Sequence, residues 1–307
     1  MAPKVSVIIN CLNSEKYLQE AIDSVYSQTC TDWEIILWDN ASTDKTAQIA
    51  NSYKEKLRYY RSEVTTTLGQ ARNNALEKAN GELIAFLDSD DIWMPEKLEK
   101  QLPLFGNPKV GIVYSDALYF NSNGYAKRQH GNKIPKQGMV WEELLKNYSI
   151  TLSTAVVRRS AINTLSYCFD ESFNFIEEYD LFLRLAKNWN VCYSPEMLCK
   201  YRMHEKNYSF THTELFVKEK MVLLQKYKEI YEDFKGKNYE RMAVIIMRTV
   251  AKNQWARGDS KGARSIIKEV MFKDAKSMML YFASFVSYKI YLALRKYLSK
   301  RPFLIND

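Results

Sequence analysis

The sequence predicts an α/β fold, and three observations carry that prediction. Short, apolar, β-rich runs recur through the first third of the chain: Val5-Ser6-Val7-Ile8-Ile9, Glu34-Ile35-Ile36-Leu37, Leu57-Arg58-Tyr59-Tyr60 and Leu83 to Leu87. Segments of helical spacing alternate with them, the rhythm of a doubly wound, mostly parallel sheet with right-handed crossovers. The fourth run then ends abruptly in Asp88-Ser89-Asp90-Asp91. The carboxyl ends of the strands are where an open α/β sheet binds ligands.

Each element has its own signal. Leu18, Ala21, Ile22 and Val25 repeat at helical spacing after Asn13-Ser14, and Ala47, Ile49, Ala50 and Tyr53 follow Ser42-Thr43-Asp44. Both openings read as N-caps. A third helix runs from about Gly69 through Ala79 and stops at Asn80-Gly81. Further on, Val110-Gly111-Ile112-Val113-Tyr114 and Thr154-Ala155-Val156-Val157 read as strands. Residues 121–138 read as polar loop, and Glu177 to Trp189 as a helix with Leu181, Phe182, Leu185 and Ala186 on its apolar face. From about Leu215 the pattern is helical throughout. We place a domain boundary there, giving a catalytic domain over 1–214 and a basic helical region over 215–307.

Composition agrees with that division. The chain has 307 residues and a formal charge of +8, but residues 1–214 carry 24 Lys+Arg against 27 Asp+Glu, whereas residues 215–307 carry 20 against 9. An acidic-to-neutral body joined to a basic segment suggests that the segment meets an anionic surface. No recognised nucleic-acid-binding motif accompanies the charge. The cysteines, Cys11, Cys30, Cys168, Cys192 and Cys199, are odd in number and form no CxxC pair. They read as reduced thiols in a cytoplasmic protein. The opening Met-Ala-Pro-Lys enters a strand at once, without a signal-peptide succession, so export is not expected.

The acidic run at 88–91 is the centre of the chemistry. Adjacent carboxylates repel, and they persist where a cation or several donors meet them. A divalent metal suits them; the alternative is that Asp90 or Asp91 caps a helix beginning near Pro95. Asp39 closes the second strand, where an acceptor-only carboxylate would take a ligand N–H or else cap the following turn. Arg72, early in the third helix, would donate into the same pocket or form a surface ion pair.

Taken together in order, the strand at 5–10, Tyr17-Leu18 with Ala21-Ile22 and Ser24-Val25, Gln28-Thr29, Asp32 to Ile36, Asp39-Asn40-Ala41-Ser42-Thr43-Asp44, Gly69-Gln70-Ala71-Arg72-Asn73, Asp88-Ser89-Asp90 and Glu177-Glu178-Tyr179-Asp180-Leu181 with Leu183-Arg184-Leu185 resemble glycosyltransferase family 2. The match covers about residues 4–208. The resemblance implies a GT-A fold and inverting transfer from a nucleotide sugar. It implies that the nucleoside is lined by Cys11, Asn13 and Glu15 beside Asp39 and Arg72. It further implies that Asp88, Ser89 and Asp90 form the DxD element, with Asp88 near the ribose and Asp90 on Mn²⁺ or Mg²⁺ that bridges the phosphates. In Tyr201-Arg202-Met203-His204, which is similar to the family's late Tyr-Arg-x-His, Arg202 would reach the phosphates and His204 the metal.

Inversion needs a base on the face opposite the leaving group. Three carboxylates open the helix at 177, where the helix dipole alone would favour them. Glu178 lies six residues before Arg184, the register of the family's catalytic Asp, and Asp180 is the second candidate. Near the end, Met278 to Leu294 is apolar and aromatic, is interrupted by Ser287 and Lys289, and is followed by Arg295, Lys296, Lys300 and Arg301. It is too broken to span a bilayer. It reads as an interfacial helix on anionic headgroups, or as an ordinary packed helix.

The expected function is UDP-sugar-dependent transfer of a hexose or N-acetylhexosamine, glucose-type, to a saccharide on a polyprenyl lipid. The site of action would be the cytoplasmic face of the inner membrane. Rival readings are a sugar-nucleotide-forming nucleotidyltransferase, which would need a Gly-rich loop where residues 10–16 have no glycine, and a non-catalytic binding scaffold.

Overall fold

The structure, a computed structural model, describes residues 3–205, 207 and 212–299. The chain forms two compact units, Met1–Glu205 and Lys206–Asp307; the onset of the helical pattern had placed the division after residue 214.

In the first unit the elements are β1 (Val5–Cys11), α1 (Leu18–Tyr26), β2 (Trp33–Asp39), α2 (Thr46–Ser52), β3 (Leu57–Arg61), α3 (Leu68–Lys78), β4 (Leu83–Phe86), β5 (Ile92–Trp93), α4 (Lys97–Gln101), β6 (Val110–Phe120), β7 (Ala126–Arg128), α5 (Trp141–Lys146), β8 (Val156–Arg158), α6 (Arg159–Ile162), α7 (Glu177–Asn188) and β9 (Asn190–Arg202). One sheet runs in the order β3-β2-β1-β4-β8-β6-β9-β5, with β7 on the edge of β6. The first four strands are parallel, as the apolar runs of β1, β2 and β4 indicate; β3, at the sheet edge, is half-buried and carries Arg58 and Arg61. Beyond them the sheet is mixed rather than mostly parallel: β8 is antiparallel to both β4 and β6, β9 is parallel to β6, and β5 is antiparallel to β9.

The core explains the pattern. Val7, Ile9, Ile35, Leu37, Leu83 and Ala85 from the strands meet Leu18 and Ile22 of α1, all at most 1 % exposed. Full burial of one such aliphatic side chain contributes about 1.5–3 kcal/mol. Both N-cap expectations fail: α1 begins at Leu18 and α2 at Thr46 with no side-chain cap. The alternative that Asp90 or Asp91 caps a helix fails too, since α4 begins at Lys97 behind Glu96. The polar side chains of Asn13, Ser14 and Asp90 are instead committed to the site described below, and Asp91 is buried against Arg202 N. The long strand β9 carries Pro195 and pairs with β6 through bulges at Ser115 and Asp116, which is why its period was not legible.

The second unit comprises α8 (Thr213–Ile230), α9 (Lys237–Ala256), α10 (Ser260–Lys268), α11 (Ala275–Ala283) and α12 (Tyr288–Ser299). Its core joins Val244, Ala251 and Trp255 of α9 to Ala263 and Ile267 of α10, with Val270. The apolar run from Met278 is two helices, not one. Ser284 closes α11, its hydroxyl donating to Tyr281 O, and the Ser287 hydroxyl accepts from Ile290 N to open α12. Among the described residues no helix is long and apolar enough to cross a membrane.

Candidate active site

The loops after β1, β2 and β4 meet at the carboxyl ends of their parallel strands and lock onto one another. Asn13 N donates to Ser42 Oγ (2.8 Å), Ser14 N to Thr46 Oγ1 (2.9 Å) and Glu15 N to Asp44 Oδ2 (2.9 Å). In return Thr43 N donates to Asn13 Oδ1 and Lys45 N to Glu15 Oε2. The loop holds Asn13 at φ 53° and Ala41 at φ 68°, a conformation that costs non-glycine residues energy and recurs at functional sites. Ser14 Oγ lies 2.8 Å from Ser89 Oγ, tying the first loop to the DxD turn. Cys11 lies beneath. Its carbonyl accepts from Asn40 N, and burial, then the Asp39 charge, pushes its thiol well above the usual range.

Asp39 is fully buried at the end of β2. Its Oδ1 accepts from Ser42 N (2.8 Å) and its Oδ2 from the Tyr59 hydroxyl (2.7 Å). It caps the turn, and Arg61 Nε stands 3.8 Å away. Arg61 was not singled out in the sequence. Half exposed at the end of β3 and anchored on Ser42 O, it is the cation on the Asp39 side of the cleft.

Arg72 has Asp88, Glu177 and Glu178 as its polar partners, and not Asp39. Gly69 fixes its position. A Cβ there would come within 2.1 Å of Asp170 O, so only glycine lets α3 press against the 170–173 loop, with Gly69 N donating to Phe173 O. One turn on, the buried Arg72 guanidinium pairs with Glu177 and reaches Glu178 Oε2 (3.4 Å) and Asp88 Oδ1 (3.3 Å). A single cation thus compensates three carboxylates. Glu177, which sequence reasoning passed over, is fully buried, and burial raises its carboxyl well above the ordinary range despite Arg72. Asp88 keeps 38 % of its side chain open to the cleft. The protein packed behind it still strips enough water to push it up to about 6, with Arg72 opposing and the charges of Asp90 and Glu178 adding.

The two candidate bases differ sharply. Glu178 keeps a quarter of its side chain exposed at the N-terminus of α7. Asp180 is fully buried and accepts from Arg184 Nε (2.9 Å) and Nη2 (2.8 Å), and Arg184 is pinned in turn on Tyr167 O and Cys168 O. That geometry ties α7 to the backbone at 167–168. Tyr179, beside it, is buried with its ring 4.6 Å from that of Tyr148.

On the other side of Asp88, Asp90 Oδ2 lies 2.9 Å from His204 Nε2, both partly exposed. Arg202 braces this pair. Its Nε donates to Asp90 O, its backbone N–H to Asp91 Oδ1 and its Nη2 to Glu20, while the guanidinium lies 4.3 Å from the centre of the Tyr17 ring. Among the described residues no group of three or more His, Cys, Asp or Glu side chains could hold a metal. A two-ligand platform at an open cleft nevertheless fits Mg²⁺ or Mn²⁺, which draw their remaining oxygens from phosphates and water.

The sequence profile of Glycosyl transferase family 2 matches residues 6–166. The chain is 31 % identical over 208 residues to the UDP-Glc:alpha-D-GlcNAc-diphosphoundecaprenol beta-1,3-glucosyltransferase WfgD of Escherichia coli, covering 67 % of this chain and 79 % of that one. It is 28 % identical over 226 residues to WfaP of Escherichia coli, which bears the same activity name, with coverage of 71 % and 85 %. Among solved structures, S. aureus TarS 1–349 in complex with UDP-GlcNAc superposes with a TM-score of 0.59 at 19 % identity, over 98 % of this chain and 93 % of that one, a likeness of fold that makes the architecture GT-A. With more than half of its length inside the family profile, the chain belongs to glycosyl transferase family 2.

Proposed function

We propose that the chain transfers a hexose or N-acetylhexosamine of the glucose type from a UDP-sugar, with inversion, to a saccharide carried on a polyprenyl diphosphate at the cytoplasmic face of the inner membrane. The observation that carries this reading is the Arg72 guanidinium, which spans Asp88 of the DxD turn and Glu178 at the start of α7. It joins a diphosphate-binding turn and an open carboxylate into one cleft. The donor and the lipid-linked acceptor are supported by the names of the Escherichia coli relatives.

In this reading the nucleoside rests on the interlocked loops between Cys11 and Asp44, with Asp39 and Arg61 beside the base. Asp90 and His204 would hold Mn²⁺ or Mg²⁺, which when bound supplies positive charge to the departing diphosphate. Arg202 keeps both ligands in place. The acceptor hydroxyl attacks the anomeric carbon as the bond to the β-phosphate oxygen breaks, and Glu178 takes its proton. Arg72 fixes the Glu178 carboxylate and offsets its repulsion from Asp88, while Asp180 holds α7 through Arg184. The sequence has Glu where the family register places Asp, so the base reaches one methylene further.

The nucleotidyltransferase alternative lacks its cradle. The loop after β1 has no glycine, and its N–H groups at 13, 14 and 15 are already given to Ser42, Thr46 and Asp44. A panel of nucleotide sugars, assayed for release of the free nucleoside diphosphate with an undecaprenyl-diphosphate-GlcNAc acceptor and with or without Mn²⁺ or Mg²⁺, tests the proposal. UDP-glucose or another UDP-hexose should lead, with little turnover in EDTA. Release of pyrophosphate from UTP and a sugar phosphate would overturn it.

A further inference from the structure

The second unit exposes apolar side chains where its packing could have hidden them. Met279 and Phe282 on α11 are 71 % and 61 % exposed, and Phe285 in the turn before α12 is 62 % exposed. Val286 and Ile290 continue the same outward series. The display is held in place by the backbone. Trp255 Nε1 donates to Val286 O (2.9 Å), and Arg264 Nη1 donates to Ser284 O (2.7 Å). Those anchors pull the carbonyls of the turn inward and leave its side chains outside. The inner face of α12 is already spent, with the Tyr288 and Tyr291 rings 5.0 and 4.7 Å from that of Trp255.

The charge along this segment has one sign. From Ala275 to Ser299 the sequence carries Lys276, Lys289, Arg295 and Lys296 and no Asp or Glu. The nearest acid, Asp274, is tied to Arg248 and caps α11 at Ser277 N. An apolar ridge on a segment whose charged residues are all cations matches a bilayer with anionic headgroups, where aromatic and aliphatic side chains enter the interface and Lys and Arg stay with the phosphates. A second copy of this chain would bring the same cations against themselves.

We propose that the α11–α12 turn, with Met279, Phe282, Phe285, Val286 and Ile290, is an interfacial wedge that seats the C-terminal unit on an anionic lipid surface. The purpose of the wedge rests on the lipid-carried acceptor proposed above. Its existence does not, because vesicle binding requires no turnover, and the two readings therefore fail separately.

The test is flotation of the full chain with vesicles of phosphatidylethanolamine and phosphatidylglycerol, against vesicles of phosphatidylcholine alone. The chain should float with the anionic vesicles and lose about tenfold or more of that binding in F282S/F285S, at high salt, and in K276E/K289E. Thermal melting and UDP binding should match the parent. The charge-reversal variant leaves the ridge untouched, so a folding defect in the Phe variant would not blur the outcome. Equal binding to neutral and anionic vesicles, or unchanged binding in both variants, would overturn the proposal. So would a concentration-dependent dimer that F282S/F285S abolishes, which would assign the face to a second copy.

Discussion

The acidic runs at 88–91 and 177–180 are alike in composition and come from opposite ends of the catalytic unit, yet each divides its carboxylates in the same way. In the first, Asp90 faces the cleft beside His204 while Asp91 is buried, taking Arg202 N on Oδ1. In the second, Glu178 faces the cleft while Glu177 and Asp180 are buried against Arg72 and Arg184. The comparison separates two uses of one residue type. Buried acids, met by the guanidinium of Arg72 or Arg184 or by the Arg202 N–H, fix the loops, and the open acids those loops present are left for substrate. Removing an open acid should cost rate, and removing the partner of a buried one should cost fold.

The largest effect expected from this division falls on Asp90. Asp90→Ala should lower metal-dependent transfer by about a thousandfold or more, with a melting temperature close to the parent's, because the group acts on leaving-group charge rather than on packing. Full activity of the parent in EDTA would break this side of the comparison. Arg72→Met should act in the opposite register. It strands Glu177 in the core and leaves Glu178 and Asp88 uncompensated, so stability to denaturant should fall by about 3–5 kcal/mol. A variant as stable as the parent would show that the buried acids need no partner.

A smaller effect concerns Lys97, a buried lysine whose partners are an amide oxygen and a backbone carbonyl. It sits beneath the DxD turn, donating to Gln101 Oε1 and Thr154 O (2.9 Å), and burial pushes its amine down to about 7. Between that value and the ordinary lysine range near 10.4, the unfolded chain holds a proton that the folded chain does not. Stability therefore rises with pH across that window, by at most about 1.4 kcal/mol per unit, and below it the contribution is flat and at its lowest. Lys97→Met should flatten the slope while Gln101 Nε2 still serves Thr154 O. Urea titrations at several pH values check this, and an unchanged slope would contradict it.

Much of the fold was legible because β1, β2 and β4 are buried on both faces and so read as largely apolar runs. The DxD turn was legible because its carboxylates interrupt such a run without transition. Strand β9 was not, since Pro195 and the bulges opposite Ser115 and Asp116 break its alternation. The partners of Arg72 could not be read either, because they depend on Gly69 allowing α3 to press against the 170–173 loop. The choice between Glu178 and Asp180 had a signal that was passed over. Glu177, Asp180 and Arg184 recur at helical spacing on one face, with Asp180 four residues before Arg184, and Glu178 is turned away from them. In the tail, composition showed an apolar, basic segment, but two serines made it two helices with an exposed turn.

The central claim is that Glu178 is the base and Asp180 a brace. It is tested most directly by measuring kcat, UDP-sugar affinity and melting temperature side by side for Glu178→Gln and Asp180→Asn. Glu178→Gln should lose about a hundredfold or more in kcat with donor affinity and melting intact. Asp180→Asn should melt earlier while its folded fraction keeps a kcat within a few-fold of the parent's. A crippled but stable Asp180→Asn beside an active Glu178→Gln would contradict the account.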